Sequence, residues 1–168
     1  GWPSGASSND VVFSFYSGKF QGGHAQEDQN QFALTAYGTA CAIDQGAGPI
    51  AKESESHNRV FIDGKGQHNA GSSIGTDGAL VNFLVGSFAD FVTGDATAAY
   101  GTYSAFNAPG VPFPGADWSW GYQGANPVQK ALRTVLVVHG APVAPYAMVM
   151  DDIDKDGGRG FGMRGGDV

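Results

Sequence analysis

Short runs of β-branched and aromatic residues, separated by glycine-rich turns, are the feature that most constrains the fold of this chain. VVFSFY at residues 11–16 and ALRTVLVV at residues 131–138 are such runs, and 27 of the 168 residues are glycine. Branched and aromatic side chains favour strands, and glycine supplies the φ angles that tight turns need. Charged amphipathic runs typical of helices are almost absent. The sequence therefore predicts an all-β fold, an antiparallel β-sandwich with at most a turn or two of helix.

The turn signals divide the chain into eight expected strands. These are residues 11–16, a pair within 32–44 that turns near Gly38, residues 59–62, a pair within 79–100 that is separated near Gly86 and ends near Gly94, residues 131–140 and residues 146–154. The strand at 59–62 should end at the Asp63-Gly64 dipeptide, which readily adopts positive φ angles. Residues 106–127 hold four of the eight prolines and predict a long loop. A chain of 168 residues fits a single domain, residues 1–168.

Charge and cysteine content narrow the classes of protein. The net charge of −7 argues against attraction to nucleic acid or to an anionic membrane, and no apolar run is long enough to predict a membrane span. Cys41 is the single cysteine, which excludes an internal disulfide, and we expect it to be a small buried hydrophobe. The chain starts at Gly1 and ends in GGDV without an obvious final strand. We therefore expect it to be a piece of a longer protein.

Five polar residues cluster at the ends of expected strands: His24, Gln26, Asp28, Asp44 and His57. Taken one at a time, each is best interpreted as a turn residue that satisfies local backbone groups. Together they offer imidazole, amide and carboxylate groups that can meet at one end of a sandwich. General acid/base chemistry or a metal site could be assembled there.

Other patterns in the sequence receive no functional role. Asp152, Asp154 and Asp156 match the spacing of a calcium loop, but Met163 stands where the bidentate glutamate is needed, so a turn rich in Asp and Gly is the better interpretation. His139, at a strand end, is left unassigned. His68, in a glycine-rich loop, is best read as a surface residue, although it could still contact a ligand. No C-x-x-C motif is present, and no phosphate-binding loop follows an expected strand and opens a helix.

Four blocks of the chain resemble one known family. GGHAQEDQNQFALTAYGTACAIDQG, HNRVFIDGKGQ, VTGDATAAY and LRTVLVV with YAMVMDDI are similar, in order, to the β-sandwich portion of the heparinase II/III-like polysaccharide lyases, which include alginate and oligoalginate lyases. Members of that family carry an N-terminal α/α toroid and place the active site between the toroid and the β-sheets. The resemblance therefore implies that the toroid is missing from this chain.

The resemblance also implies roles for particular residues. The family pattern His-x-His-x-Asp corresponds to His24, Gln26 and Asp28, so His24 takes the place of the catalytic histidine while Gln26 replaces a zinc-binding histidine. Asp44 and His57 correspond to the remaining zinc ligands. The metal is thus in doubt, because an amide is a weak zinc ligand. Gln26, Asn58 and Arg59 are expected to bind substrate.

The implied activity is β-elimination in a polysaccharide containing uronic acid, with alginate as the favoured substrate and a secreted or periplasmic location. A chain of net charge −7 should repel an anionic polysaccharide. Attraction would therefore have to come from the missing domain or from a local group of cations: Lys19, Lys52, Arg59 and Lys65. The main alternative is a non-catalytic carbohydrate-binding sandwich in which Trp118, Trp120 and Tyr122 stack on sugars. A purely structural domain is a third interpretation.

Overall fold

The computed structural model describes residues 10–18, 28–44, 57–63, 66–67, 78–100, 128–140, 142 and 144–155. These residues form two antiparallel sheets, which confirms the all-β prediction. The first sheet contains β1 (Val11–Tyr16), β2 (Gln31–Ala36) and β3 (Thr39–Ala42), in that order. The second contains β4 (Ala79–Val85), β5 (Ala89–Asp95), β6 (Val128–Val138) and β7 (Tyr146–Lys155), also in sequence order.

Most strand boundaries lie close to the turn residues that predicted them. β1 has the predicted limits, and β2 and β3 are joined by a tight turn in which Tyr37 and Gly38 have φ angles of 53° and 74°. Asp63 also has a positive φ, 53°, as expected for its turn. The predicted loop at 106–127 lies outside the described residues.

The predicted strand at residues 59–62 is wrong, since only Ile62 makes a β-bridge there. Two carbonyls of this connection accept hydrogen bonds from side chains. The carbonyl of Val60 accepts a hydrogen bond from the Tyr100 hydroxyl at 2.7 Å, and the carbonyl of Asn58 accepts one from Arg133 at 2.6 Å. A segment that is apolar enough to resemble a strand is thus held as an irregular connection.

The register of the second sheet assigns its residues to two faces. Val92, Val135 and Val149 are aligned across β5, β6 and β7, as are Phe91, Leu136 and Met148 one residue away. Because successive side chains alternate between faces, these two rows lie on opposite sides of the sheet. The row of valines shares its face with Arg133, which contacts the first sheet, so this is the inner face.

Two side chains join the sheets across the interior. The Asn30 amide, just before β2, donates to the carbonyl of Gly94 on β5 and to that of Ala131 on β6, both at 3.1 Å. In return, the Arg133 guanidinium donates to the carbonyl of Asn30 at 2.8 Å and lies 5.5 Å from the ring centre of Phe32. These contacts set how β2 sits over β5 and β6.

The contacts of Asn30 and Arg133 form the joint between the two sheets, and the core next to this joint is partly apolar and partly polar. Ile62, Ala96, Ala99, Tyr100, Val128 and Ala131 form a buried apolar cluster around the short 3₁₀ helix Thr97–Tyr100. Beside it are seven buried polar residues: Ser17, Gln29, Asn30, His57, Arg59, Gln67 and Arg133. Polar side chains are mostly exposed in proteins, so a buried group of this size needs partners for all its members. None of the described helices is long and apolar enough to cross a membrane.

Two expectations about individual residues are corrected by the fold. Cys41 is exposed instead of buried, because the register shift between β2 and β3 leaves it at a bulge, between Ala40 and Ala42, without a directly opposed residue. Asp152 and Asp154 lie inside β7 instead of in a turn, paired with β6. Asp156 and Gly157, which complete the calcium-like pattern, lie outside the described residues.

Candidate functional site

Asp44 and His57 lie together at the end of the first sheet. Asp44 follows β3, and its Oδ1 is 2.5 Å from Nδ1 of His57, thirteen residues later in the chain. The His57 side chain is fully buried, whereas the Asp44 side chain is 27 % exposed. The imidazole therefore cannot face a large ligand directly, and the carboxylate is the member of the pair that a ligand can approach.

Gln31, the first residue of β2, completes this group. Its Oε1 is 3.0 Å from the same His57 nitrogen, and its Nε2 donates to Oδ2 of Asp44 at 3.3 Å. One amide thus holds both members of the pair from the adjacent strand. A carboxylate that accepts from an imidazole and an amide is fixed in orientation, which is what a binding or catalytic group requires.

Asn58 anchors the segment that carries His57. Its Nδ2 donates to the carbonyl of Phe32 on β2 at 2.9 Å and to that of Ile43 at 3.0 Å. Both amide hydrogens are therefore used within the protein, so only the Oδ1 atom of Asn58 is left to serve in the predicted substrate binding. The anchor explains why His57 returns to the end of β3, where Asp44 stands.

A second buried group lies behind Asp28 and consists of Gln29, Gln67 and Arg59. Gln67 accepts a hydrogen bond from the Gln29 backbone N–H at 3.0 Å and donates to the Gln29 carbonyl at 2.8 Å, imitating a strand partner with its side chain. The same Gln67 oxygen accepts from Nη1 of Arg59 at 3.0 Å. The Gln29 side chain in turn accepts from the Gly18 N–H at 2.8 Å. Gln29, the neighbour of Asp28, is therefore held through both its backbone and its side chain.

Asp28 has a carboxyl whose pKa is strongly shifted. Burial raises the pKa of its carboxyl from 3.8 to about 6, and the nearby Asp44 carboxylate adds to the rise, while the Arg59 guanidinium opposes it. Burial is also the main cause that raises the pKa of Tyr16, with the Asp28 charge second. A carboxyl that changes its charge near neutral pH is suited to proton transfer or to donating a hydrogen bond to an anion.

The Asp28 shift predicts how stability depends on pH. The unfolded chain releases this proton near pH 4 and the folded chain near pH 6, so stability should fall as pH rises through this interval and then level off. Asp28→Asn removes the charge, and after allowance for solvent screening we expect it to raise the free energy of unfolding by about 1–2 kcal/mol at pH 7. Urea unfolding from pH 3.5 to 7 measures this difference. If Asp28→Asn raised the free energy of unfolding equally at pH 3.5 and at pH 7, the raised pKa assigned to Asp28 would be wrong.

The described residues do not fit a zinc site in this arrangement. Two tetrahedral ligands with bonds of about 2.0–2.2 Å stand about 3.4 Å apart, whereas Asp44 and His57 are in direct hydrogen-bond contact at 2.5 Å. No group of three or more histidine, cysteine, aspartate or glutamate side chains with metal-binding geometry occurs among the residues described. Gln26, which stands where the family has its other zinc-binding histidine, is an amide and a weak zinc ligand. We therefore derive no step through a metal.

The structure brings together only part of the predicted site. Asp44, His57 and Asn58 meet as described, and Arg59 is close by but buried, so it does not form part of an exposed cationic surface. The remaining predicted residues lie outside the described parts of the chain: His24, Gln26, His68, Lys19, Lys52, Lys65, Trp118, Trp120 and Tyr122.

Sequence reasoning missed Gln31, Gln67 and Arg133. Arg133 offered a signal, because it is the single charge inside an otherwise apolar strand, ALRTVLVV, where a solvated position is not expected. Gln31 offered a weaker one, as the last amide of a polar run before an apolar strand. Gln67 lies in a glycine-rich segment with no periodicity to indicate burial.

His139, which received no role, lies away from this site. Its Nε2 is 3.2 Å from Oδ2 of Asp90 at the far end of the second sheet, and both side chains are partly exposed. Its backbone N–H donates to the carbonyl of Phe88 at 3.0 Å. These contacts belong to a strand end and leave His139 as a control position for tests of the site.

Comparison with known proteins gives no assignment for this arrangement. Neither the protein-family models nor the curated proteins include a match to the chain.

Proposed function

We propose that this chain is the β-sandwich part of a secreted or periplasmic polysaccharide lyase that cleaves uronic-acid polymers or oligosaccharides, alginate foremost, by β-elimination. The observation that carries the proposal is the contact of Asp44 with His57. These residues come from two separate blocks of the family resemblance, and the fold brings them together at 2.5 Å. Asp28, from the first of these blocks, is close enough to Asp44 for the two charges to interact.

The proposed reaction sets definite demands on the site. A base removes the proton from C5 of the uronate, the C4–O glycosidic bond breaks, the leaving oxygen takes up a proton, and a C4=C5 double bond forms. The C5 proton is weakly acidic, so the substrate carboxylate must be hydrogen-bonded or neutralised to accept developing charge. An acid and a base must also stand within about 3 Å of the moving protons.

Within the proposal, His24 is the acid/base. It precedes Asp28 by four residues, so chain connectivity keeps the two Cα atoms within about 14 Å of each other. Asp28, when protonated below a pKa of about 6, can donate a hydrogen bond to a substrate carboxylate. Asp44 is the partly exposed acceptor of the His57 pair, and Gln26 lies two residues before Asp28 as a further amide.

The helical domain of the family would supply the remaining partners. In the resembling enzymes, a tyrosine and an asparagine or histidine of the toroid share the chemistry. The isolated chain is therefore expected to be inactive or nearly so, and the substrate is expected to lie between the sandwich and a helical companion. That companion would also supply the positive charge that attracts a polyanion to a chain of net charge −7.

The test is a lyase assay of the chain within its native polypeptide. Alginate and other uronate polymers are supplied, and the unsaturated product is followed by its absorbance near the ultraviolet limit. His24→Ala should lower kcat by about 10²–10⁴, the contribution of a general acid/base. His139→Ala is the matched control, since His139 pairs with Asp90 away from the site, and it should leave the rate unchanged.

The same assay separates the alternatives. Absence of product from every uronate polymer, with the polypeptide folded, overturns the lyase proposal. Retained sugar binding that is lost in Trp118→Ala would then identify a carbohydrate-binding sandwich. Full activity in His24→Ala would overturn the assigned role of that residue. Metal analysis of the purified polypeptide decides separately whether zinc accompanies the site.

A further inference from the structure

Strand β4 is exposed on both faces. Phe83 and Val85 are aligned with Val92 and Asp90 of β5 on the inner face, yet 71 % and 77 % of their surfaces are exposed. On the outer face, Leu84 is 57 % exposed. Inner-face residues of a sandwich are normally covered by the opposite sheet. The second sheet therefore extends beyond the cover that the first sheet provides.

A cleft marks the place where this cover ends. It has a volume of about 520 Å³ and lies between β1 and the β4 side of the second sheet, with Val11, Phe13, Phe83 and Val85 among its lining residues. Its lining is mainly apolar. The free side of β4 also lacks a hydrogen-bonded neighbour among the strands described, since β4 is the first strand of its sheet. An apolar edge that is open in this way is a template for pairing with another strand.

The two edges of the sheet differ in charge. Every residue from 78 to 89 is uncharged, and this range includes all of β4. β7, at the other edge, carries three aspartates and a lysine. Charged edges discourage strand pairing, whereas an uncharged edge in a chain of net charge −7 allows two copies to meet without contact between like charges.

We propose that β4 is a self-association surface on which a second copy of the chain adds its own β4 as an antiparallel strand. The pairing is centred on Phe83, so that Phe83 faces its own counterpart on the inner side and Asn82 faces Leu84 on the outer side. Both pairs respect the faces given by the β5 register. Cross-strand aromatic pairs are favourable, and a two-fold axis is the commonest symmetry of protein dimers.

The irregular start of β4 limits the pairing to its second half. A register shift between Leu80 and Asn82 interrupts the ladder to β5. Residues 82–85 are regular, and Val81 is the residue that would oppose Val85 of the copy. A short apolar ladder of this kind also covers the flank of Phe83 that the first sheet leaves open. The surface is distinct from the Asp44–His57 site, so it does not depend on the proposed activity.

Cysteine cross-linking tests the register directly. In a Cys41→Ser background, which removes the exposed native thiol, Phe83→Cys places two thiols across the axis with Cα atoms about 4.5–5.5 Å apart, within disulfide range. Val85→Cys, on the same strand and face, places them about 14 Å apart, beyond that range. Mild oxidation should give a covalent dimer of twice 17.3 kDa from Phe83→Cys alone. Equal cross-linking of both variants, or of neither, overturns the proposal.

Sedimentation velocity of the otherwise unmodified chain provides the second measurement. We expect a dimer whose Kd rises by about tenfold or more in Leu84→Lys, since the two lysines would be diagonal neighbours across the axis, about 7–8 Å apart, and their like charges would repel each other. Met150→Lys, similarly exposed on β7, is the control and should leave the Kd unchanged. A monomer at every accessible concentration, or a dimer that only Met150→Lys dissociates, overturns the proposal. Circular dichroism confirms that each variant is folded.

Discussion

Arg133→Met is expected to lower the free energy of unfolding by about 3–5 kcal/mol, because it removes one partner of a buried ion pair and several hydrogen bonds together. Arg133 is 5 % exposed and holds the Asp151 carboxylate with two bonds, of 2.7 and 2.9 Å. It also donates to the carbonyls of Asn30 and Asn58 at 2.8 and 2.6 Å. Methionine preserves much of the volume, so the loss reports the polar contacts. Urea unfolding gives the value from the midpoint at an unchanged slope.

Lys130→Met is the matched control for this variant. Lys130 lies on the same strand and pairs with Asp152 at 2.8 Å, but both side chains are substantially exposed. Exposed pairs are worth about 0–1 kcal/mol, so the control should change stability only slightly. Equal effects of the two variants would show that Arg133 is not the joint between the sheets. Should Arg133→Met fail to fold, Arg133→Lys, which retains the charge but not the two-pronged geometry, gives an intermediate loss to measure.

The strands were largely predictable because their signals are local. Glycine and Asp-Gly turns mark the ends of short apolar runs, so the limits of β1 and the turn at Gly38 follow from neighbouring residues. Burial was less predictable, because it depends on which strand lies at an edge. Cys41 has an apolar neighbourhood in sequence, yet a bulge on the edge strand β3 exposes it. The apolar residues of β4 are also exposed, because β4 too lies at an edge, as the first strand of its sheet among the strands described.

Only those residues of the candidate site that belong to a recognisable sequence pattern could be predicted. Asp44 and His57 stood out through the family resemblance, which assigns them as zinc ligands, whereas in the structure they contact each other directly at 2.5 Å. Gln31, Gln67 and Arg133, which support the site, could not be placed from the sequence. Their roles depend on long side chains that reach backbone groups of distant segments, up to 103 residues away for Arg133 and Asn30. Local periodicity contains no information about such contacts.

The interior of this sandwich is organised around polar contacts as much as apolar ones. Asn30 and Arg133 fix β2 over the second sheet, and the segment that carries His57 is attached to the same arginine through the Asn58 carbonyl. The position of the Asp44–His57 pair is therefore set by the joint between the sheets. Loss of that joint should disturb the site even though Arg133 makes no contact with either residue of the pair among its described hydrogen bonds.

Gln67→Leu is expected to lower the free energy of unfolding by about 2–4 kcal/mol, because it leaves buried polar partners unsatisfied at about 1–3 kcal/mol each. Gln67 is 1 % exposed and serves the backbone N–H and carbonyl of Gln29 as well as the Arg59 guanidinium. Leucine matches its size but accepts and donates nothing. Thermal and urea unfolding measure the loss. Since Gln29 adjoins Asp28, the variant should also move the Asp28 pKa away from about 6.

The same substitution at an exposed position separates loss of hydrogen bonds from a general effect of leucine. Gln129 lies on β6 with its side chain exposed, so Gln129→Leu should change stability by less than about 0.5 kcal/mol. A loss in Gln67→Leu no greater than that control would mean that water or neighbouring groups replace the missing amide. Carbon-detected NMR titration of the aspartate side chains then gives the second result. An unchanged Asp28 titration in a destabilised Gln67→Leu would show that Gln67 supports the fold without shaping the acid beside it.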